Sequence, residues 1–197
     1  MSTAARLPLP MTVDEFHEWM PPAGLETRQW QLVNGEPVCM APAGLNHGAI
    51  QGEAYLLIRT HLRAAGSSCW TVIAPGVIPG VDSSTNELVP DLGVSCAPRV
   101  DDKVMRQPVL LVEIMSPSNK KDTDRNILAY TTMPSVQEIL VLESLSVSAR
   151  LYRRTGQKWE ADPIRLDAAS EVRLQSIGFA AQLFDFYAGS TLAIPSP

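Results

Sequence analysis

One apolar stretch, PVLLVEIM at residues 108–115, constrains the fold of this chain more than any other. A short run of this kind, bounded by turn residues, is typical of a buried strand. A single charged residue, Glu113, interrupts it. A carboxylate in a buried strand is costly unless it is paired, hydrogen-bonded or bound to a metal ion. The stretch therefore predicts a central strand that carries an acidic residue with a specific role.

A second acidic residue stands at the opening of the preceding apolar segment. Asp91 follows Pro90 in LVPDLGVSC, residues 88–96. If this strand pairs antiparallel with residues 108–115, Asp91 and Glu113 project from the same end of the sheet. Two hard oxygen ligands at such a place suit Mg²⁺ or Mn²⁺, with water and a substrate phosphate completing the coordination shell. Two simpler roles stay open: the Asp could cap a turn, and the Glu could pair with a nearby Arg.

The other segments predict a mixed α/β chain. Asn34-Gly35 is a strong hairpin signal between two alternating segments, and the Thr12–Glu15 segment fits a capping box at the start of a short helix. Strands are also expected around the apolar segments that follow residue 69 and residue 136. Helices are expected over residues 12–19, 46–64, 122–133 and 179–187, with Ile127, Leu128 and Tyr130 facing inward on the third. This order predicts a central sheet with helices on its faces.

Length and charge limit the classes of protein to consider. The 197 residues predict a single domain over 1–197, with loosely ordered segments at 1–10 and 190–197. The net charge of −5 does not produce the field of a strong non-specific nucleic-acid binder. A polyanionic partner would therefore need a local basic patch or a metal ion.

The cysteines and the apolar runs bear on the compartment. Three cysteines, Cys39, Cys69 and Cys96, form no CxxC motif, so reduced thiols are expected rather than a disulfide framework or a zinc site. The N-terminal residues do not resemble a signal peptide, and no run is long enough to cross a bilayer. These features predict a cytoplasmic protein without a membrane partner.

Several motifs in a fixed order carry a family resemblance. VPDLGV is followed by LLVEIMSPSN, by a helix with Tyr130, and by PSVQEILVLES. Upstream, WQLVNGEPVCMAP precedes NHGAIQGE. This arrangement, from about residue 11 to residue 153, resembles the Uma2 family of restriction endonuclease-like proteins, which belongs to the PD-(D/E)XK nuclease superfamily. The resemblance implies a restriction-endonuclease-like core, in which a mixed central β-sheet is flanked by helices and preceded by an N-terminal β-hairpin.

The resemblance also implies a function and its residues. It implies a metal-dependent endonuclease that hydrolyses DNA phosphodiester bonds with a metal-activated water, with Asp91 and Glu113 holding Mg²⁺ or Mn²⁺. Glu53, on the preceding helix, matches an additional acidic position of many relatives, although a surface ion pair would explain it equally well. His47 at the start of that helix could contact a phosphate or simply cap the helix. A homodimer is expected by analogy with relatives of this fold.

The sequence departs from the superfamily pattern at the position of the motif lysine. The (D/E)XK signature places Lys two residues after the acid, where this chain has Met115, and the alternative position on the following helix is Asn126. Lys120 and Lys121 precede that helix and are the candidates to replace the missing cation; as solvated loop lysines they would have no such role. Two other functions therefore stay open: a catalytically weakened or inactive nuclease-fold protein that acts as a binding or assembly module, and an enzyme acting on a smaller substrate.

Overall fold

The computed structural model describes residues 9–117 and 119–193. Three α-helices and eleven strands alternate along this part of the chain. The helices are α1 (Val13–Glu18), α2 (Leu45–Ala64) and α3 (Lys120–Thr131). The strands are β1 (Trp30–Val33), β2 (Glu36–Cys39), β3 (Trp70–Ile73), β4 (Leu92–Ser95), β5 (Pro108–Met115), β6 (Glu138–Glu143), β7 (Ser148–Thr155), β8 (Lys158–Trp159), β9 (Ile164–Asp167), β10 (Glu171–Leu174) and β11 (Phe179–Gln182).

A mixed seven-stranded sheet forms the centre of the molecule. Its strands follow the order β3-β4-β5-β6-β7-β8, and β9 also pairs with β7. Strands β5 and β6 are parallel and are joined through α3, whereas the other pairs are antiparallel. The hairpins β1–β2 and β10–β11 form separate two-stranded sheets. The expected α/β class, with a mixed central sheet and an N-terminal hairpin, is confirmed.

Each face of the central sheet is covered by its own apolar layer. On one face, α2 and the β10–β11 hairpin pack against side chains that include Val112 and Ile114 of β5. On the other face, α3 packs against Leu111 and Met115 of the same strand. Side chains alternate between the faces of a strand, so Glu113 lies on the α3 face. Burial on both sides explains why the sequence of β5 is almost continuously apolar.

Local signals account for the N-terminal elements. Asn34 and Gly35 both have positive φ angles, 51° and 79°, as a tight turn between β1 and β2 requires. Thr12 and Glu15 form the reciprocal capping box that begins α1. Both predictions are confirmed. They could be made from the sequence because the groups involved lie within three residues of each other.

Two expectations about helices are wrong. Residues 179–187 do not form a helix: β11 occupies Phe179–Gln182 and a 3₁₀ segment occupies Leu183–Tyr187. The pairing of β11 with β10 supplies the backbone hydrogen bonds that a helix would have made internally. Leu128 does not face inward, since it is 70% exposed, whereas Ile127 and Tyr130 are buried. Only one stripe of a helix can contact the sheet, and Leu128 lies off that stripe.

The expectation of three thiols is also wrong. Cys69 and Cys96 form a disulfide, and Cys39 is free. The two cysteines flank strands that pair antiparallel, with Trp70 opposite Ser95, so each cysteine continues the register by one residue. Their Cα atoms are 3.9 Å apart. Their separation of 27 positions along the chain conceals this proximity from a motif search.

Thiol titration tests this disulfide directly. We expect one reactive thiol per chain in denaturant without reductant, that of Cys39, and three after reduction. The variant Cys39→Ser should show none before reduction. Three thiols in freshly purified, unreduced protein would contradict the cross-link.

The described residues begin at Leu9 and end at Ala193. Residues 1–8 and 194–197, which make up most of the segments expected to be loosely ordered, lie outside them. Ser190 is buried, and Thr191 donates two hydrogen bonds to Asn46 at the start of α2. Among the described residues, no helix has the length and apolar character that crossing a membrane requires.

Candidate active site

The pairing of β4 with β5 brings the two acidic residues together. The strands are antiparallel, and Leu92 lies opposite Val112. Asp91 precedes Leu92, so the register places it opposite Glu113. Its carboxylate oxygen Oδ2 accepts a hydrogen bond of 2.6 Å from the backbone N–H of Ile114. Both acidic side chains line one cleft at this end of the sheet.

Further hydrogen bonds orient Asp91 from helix α2. Nε2 of His47 lies 2.7 Å from the other carboxylate oxygen, Oδ1. The side-chain amide of Gln51, one helical turn further, donates to the backbone carbonyl of Asp91 at 2.9 Å. Residues four apart lie on one face of a helix, so a single edge of α2 holds this acidic residue in place. His47 is therefore part of the site and not a solvated cap.

Glu113 is held from the opposite side by helix α3. Its side chain is buried, and its Oε1 accepts a hydrogen bond of 2.7 Å from the hydroxyl of Tyr130. Burial raises the pKa of the Glu113 carboxyl well above its ordinary value, and the negative charge of Asp91 raises it further. Hydrogen bonds from Tyr130 and Asn126 oppose this rise without cancelling it. The pKa of the Tyr130 hydroxyl is also raised, by burial and then by Glu113.

The cleft around the two carboxylates is large and chemically mixed. Its volume is about 950 Å³. One wall is the face of the β1–β2 hairpin that carries Gln31 and Val38, another is the first turn of α2, and a third is the first half of α3. Concave sites of this size accommodate small-molecule or nucleotide-sized ligands.

Three of the residues expected at the site do not line this cleft. Glu53 lies on another side of α2, where its carboxylate approaches Gly189. Lys120 and Lys121 are exposed in the first turn of α3. The positions of α3 that line the cleft are Asp122, Thr123 and Asn126, which share a helical face that excludes both lysines.

Two residues after Glu113, where the (D/E)XK motif places a lysine, this chain has Met115. Met115 is buried in the apolar layer beneath α3. An arginine from a different strand reaches it: the Arg150 guanidinium donates to the sulfur of Met115 at 3.1 Å. Arg150 also lies 3.7 Å from Asp124 and 3.7 Å from Glu143. The positive charge of Arg150 is thus already shared between two carboxylates.

The donor atoms fit a hard divalent cation held by few protein ligands. Within residues 9–117 and 119–193, no group of three or more His, Cys, Asp or Glu side chains is arranged to hold a metal ion. Asp91 and Glu113 provide two interacting carboxylates, and their mutual repulsion contributes to the raised pKa of Glu113. Mg²⁺ typically binds proteins through one or two carboxylates and keeps several waters. A cation between these groups would relieve their repulsion.

Comparison with known proteins identifies the family. The model of the Uma2 family, described as "Putative restriction endonuclease", matches residues 13–183. The chain belongs to the Uma2 family. The fold is similar to that of a crystal structure described as "a putative nuclease belonging to DUF820 from Anabaena variabilis ATCC 29413", with a TM-score of 0.71 and 19% sequence identity. The alignment covers 91% of this chain and 98% of that one. No curated protein matches the chain.

The Uma2 match includes the helices and strands from α1 to β11. The sequence resemblance described above is thereby confirmed, and it extends further toward the C-terminus than the motifs alone indicated.

Two pairs of residues in this Uma2 chain contact the acidic residues in a way that the sequence did not predict. His47 and Gln51 are four residues apart on α2, and Asn126 and Tyr130 are four apart on α3. Each pair places polar groups on the helix face that meets the carboxylates. A search for polar residues at this spacing, on helices next to the acidic strands, would have found both pairs.

Proposed function

We propose that this Uma2 protein is a divalent-metal-dependent endonuclease that hydrolyses DNA. The observation that carries the proposal is that Asp91, directly before β4, and Glu113, on the adjacent antiparallel strand β5, line one cleft. The Uma2 match and the nuclease-like fold support the same reaction class. Mg²⁺ or Mn²⁺ is the cofactor that two carboxylate ligands suit best.

The residues of the cleft have distinct roles in this proposal. Asp91 and Glu113 would hold the cation, whose contribution is to stabilise charge on the phosphate and to promote ionisation of water. The Ile114 N–H and the side chains of His47 and Gln51 orient Asp91. Tyr130 orients Glu113 by donating to its carboxylate. These contacts preorganise both ligands before substrate arrives.

A second candidate function follows from the missing lysine. Met115 is buried in an apolar layer, and neither Lys120 nor Lys121 lines the cleft. Loss of the motif cation weakens catalysis more than metal binding, because coordination needs only the carboxylates. The alternative is a protein of the same fold that binds metal and DNA without cleaving it.

A paired assay separates the two functions. Asp91→Ala is expected to abolish Mn²⁺ binding in calorimetry and to reduce plasmid nicking at least a thousandfold, since metal catalysis supplies several kcal/mol. The control Asp167→Ala removes an exposed carboxylate on β9, far along the chain from the site, and should leave both measurements unchanged.

Each outcome of this assay has a defined meaning. Wild-type binding of Mn²⁺ without nicking would favour the non-catalytic alternative. Equal Mn²⁺ binding by wild type and Asp91→Ala would refute the proposed metal site. The expected homodimer is a separate proposal, which light scattering after size-exclusion chromatography tests, and a monomeric mass across the accessible concentration range would exclude it.

A further inference from the structure

A buried amide whose oxygen has no partner lines the same cleft as the two carboxylates. Gln31, on β1, is 6% exposed. Its side-chain oxygen Oε1 is inaccessible to solvent and has no hydrogen-bond partner among residues 9–117 and 119–193. A buried amide oxygen without a partner destabilises the folded protein. A buried polar group of this kind needs an explanation, and a partner supplied by a ligand is one.

The surroundings of Gln31 show which kind of ligand could reach it. Val38 lies opposite Gln31 in the hairpin register, and Gln29 and Met40 occupy the next position on the same face. This face combines apolar side chains with two carboxamides. A flat, polar-edged ring such as a nucleobase could pack on Val38 and Met40 while the Gln31 amide hydrogen-bonds its edge. The terminal torsion of a glutamine side chain is soft, so the amide can turn to present its donor or its acceptor.

The first turn of α2 offers a complementary site for the phosphate of the same nucleotide. The helix has 20 residues, and its N-cap residue is Gly44. Because glycine has no side chain, it cannot cap the first N–H groups of the helix. Gly44, Leu45 and Asn46 line the same cleft as Gln31. The free N–H groups and the dipole of a helix N-terminus favour an anion. Arg28 also lines the cleft and adds a positive charge.

We propose that the cleft binds one unpaired nucleotide of the DNA substrate, with Gln31 reading its base and the α2 N-terminus holding its phosphate. A base within a duplex could not reach an amide that is 6% exposed, whereas an unpaired or extruded base could do so once the amide turns toward the cleft. The inference rests on the proposed function, since it takes DNA as the ligand. It makes Gln31 a specificity-determining residue that does not contact the metal.

Gln31→Met tests the proposal through two opposing effects. Methionine keeps the length and approximate volume of the side chain but removes the unpartnered amide. We expect the melting temperature to rise by about 2–4 °C, because a destabilising buried group is lost. We expect the affinity for short fluorescein-labelled single-stranded oligodeoxynucleotides, measured by fluorescence anisotropy in EDTA, to fall about tenfold. The matched duplex should bind wild type more weakly than the single strand does.

Thr71→Val is the matched control. Oγ1 of Thr71 on β3 is the same kind of group, a buried side-chain oxygen without a partner in the described chain, but it lies outside the cleft. This substitution should stabilise the fold without changing oligonucleotide affinity. Equal affinity of wild type and Gln31→Met, or tighter binding of duplex than of single strand by wild type, would overturn the proposal.

The outcomes distinguish this inference from the proposed function. Metal-dependent nicking together with unchanged affinity of Gln31→Met would overturn the nucleotide site and leave the nuclease standing. Binding that depends on Gln31, in a protein that does not nick DNA, would support the nucleotide site and favour the non-catalytic alternative.

Discussion

Glu113→Gln is expected to reduce metal-dependent DNA cleavage by about three orders of magnitude and, at neutral pH, to raise the melting temperature. Glutamine keeps the shape of the side chain and an oxygen that can accept the Tyr130 hydrogen bond. It removes the negative charge that cation binding requires. The same charge is buried next to Asp91, so its removal should stabilise the folded chain.

The sign of the stability effect follows from proton binding. The pKa of Glu113 is raised in the folded state above its ordinary value of 4.5, so the folded protein binds more protons than the unfolded chain at pH values above 4.5. Glu113 therefore contributes its full stabilisation to the wild type below pH 4.5. This contribution falls as the pH rises from 4.5 to the raised pKa of the folded state. The melting-temperature advantage of Glu113→Gln should be small at acidic pH and grow toward neutral pH.

Thermal unfolding across this pH range, with and without Mn²⁺, measures both effects. Mn²⁺ should raise the melting temperature of wild type by mass action and leave that of Glu113→Gln unchanged. Glu36→Gln, which changes an exposed carboxylate on β2, serves as the control and should alter neither activity nor stability. A stability difference that does not vary with pH, or Mn²⁺ stabilisation of both proteins, would contradict the assigned role of Glu113.

Glu138→Ala is expected to give the largest loss of stability, about 3–5 kcal/mol, which lowers the melting temperature by about 6–20 °C. Glu138 is 1% exposed at the start of β6. Its carboxylate accepts hydrogen bonds from Nε of Arg153, from the backbone N–H groups of Gln175 and Ser176, and from the Ser176 hydroxyl. One carboxylate thus joins the central sheet to the segment before β11.

The loss is large because the substitution leaves a charge and several donors without a partner. Arg153 is 15% exposed at its side chain, so water would replace the carboxylate only partly. The control Glu160→Ala removes an exposed carboxylate that contacts Thr155 on the neighbouring strand, where less than about 1 kcal/mol is expected. Nicking activity per folded molecule should be unchanged in Glu138→Ala. A melting temperature within one or two degrees of wild type would show that Glu138 is not the structural contact described here.

Much of the fold was predictable because its signals are local. The Asn34-Gly35 turn, the Thr12–Glu15 capping box and the apolar face of α2 each depend on residues within a few positions of one another. The apolar run of β5 predicted a buried strand, and its single acidic residue, Glu113, predicted the site. The expected antiparallel pairing of two apolar segments, and then the family resemblance, related Asp91 to Glu113 across 22 residues of sequence.

The features that were mispredicted depend on strand pairing and on helix packing. Residues 179–182 became β11 because β10 was available to pair with them, and Leu128 is exposed because of the way α3 lies on the sheet. The Cys69–Cys96 disulfide exists because β3 and β4 are antiparallel neighbours. None of these contacts leaves a periodic or spaced pattern in the sequence.

The residues of the site also fall into two groups: those that the sequence identified and those that only the tertiary structure showed. Asp91 and Glu113 were identifiable from the sequence alone, because a charge at the start of or within a buried strand is costly and therefore conspicuous. The side chains that surround them were decided only by tertiary structure: His47 and Gln51 meet Asp91, Tyr130 meets Glu113, and Glu53, Lys120 and Lys121 face elsewhere. The physical reason is that, before a helix docks, the free energy of a polar side chain is the same on every face of that helix. Docking is set by the packing of the whole sheet.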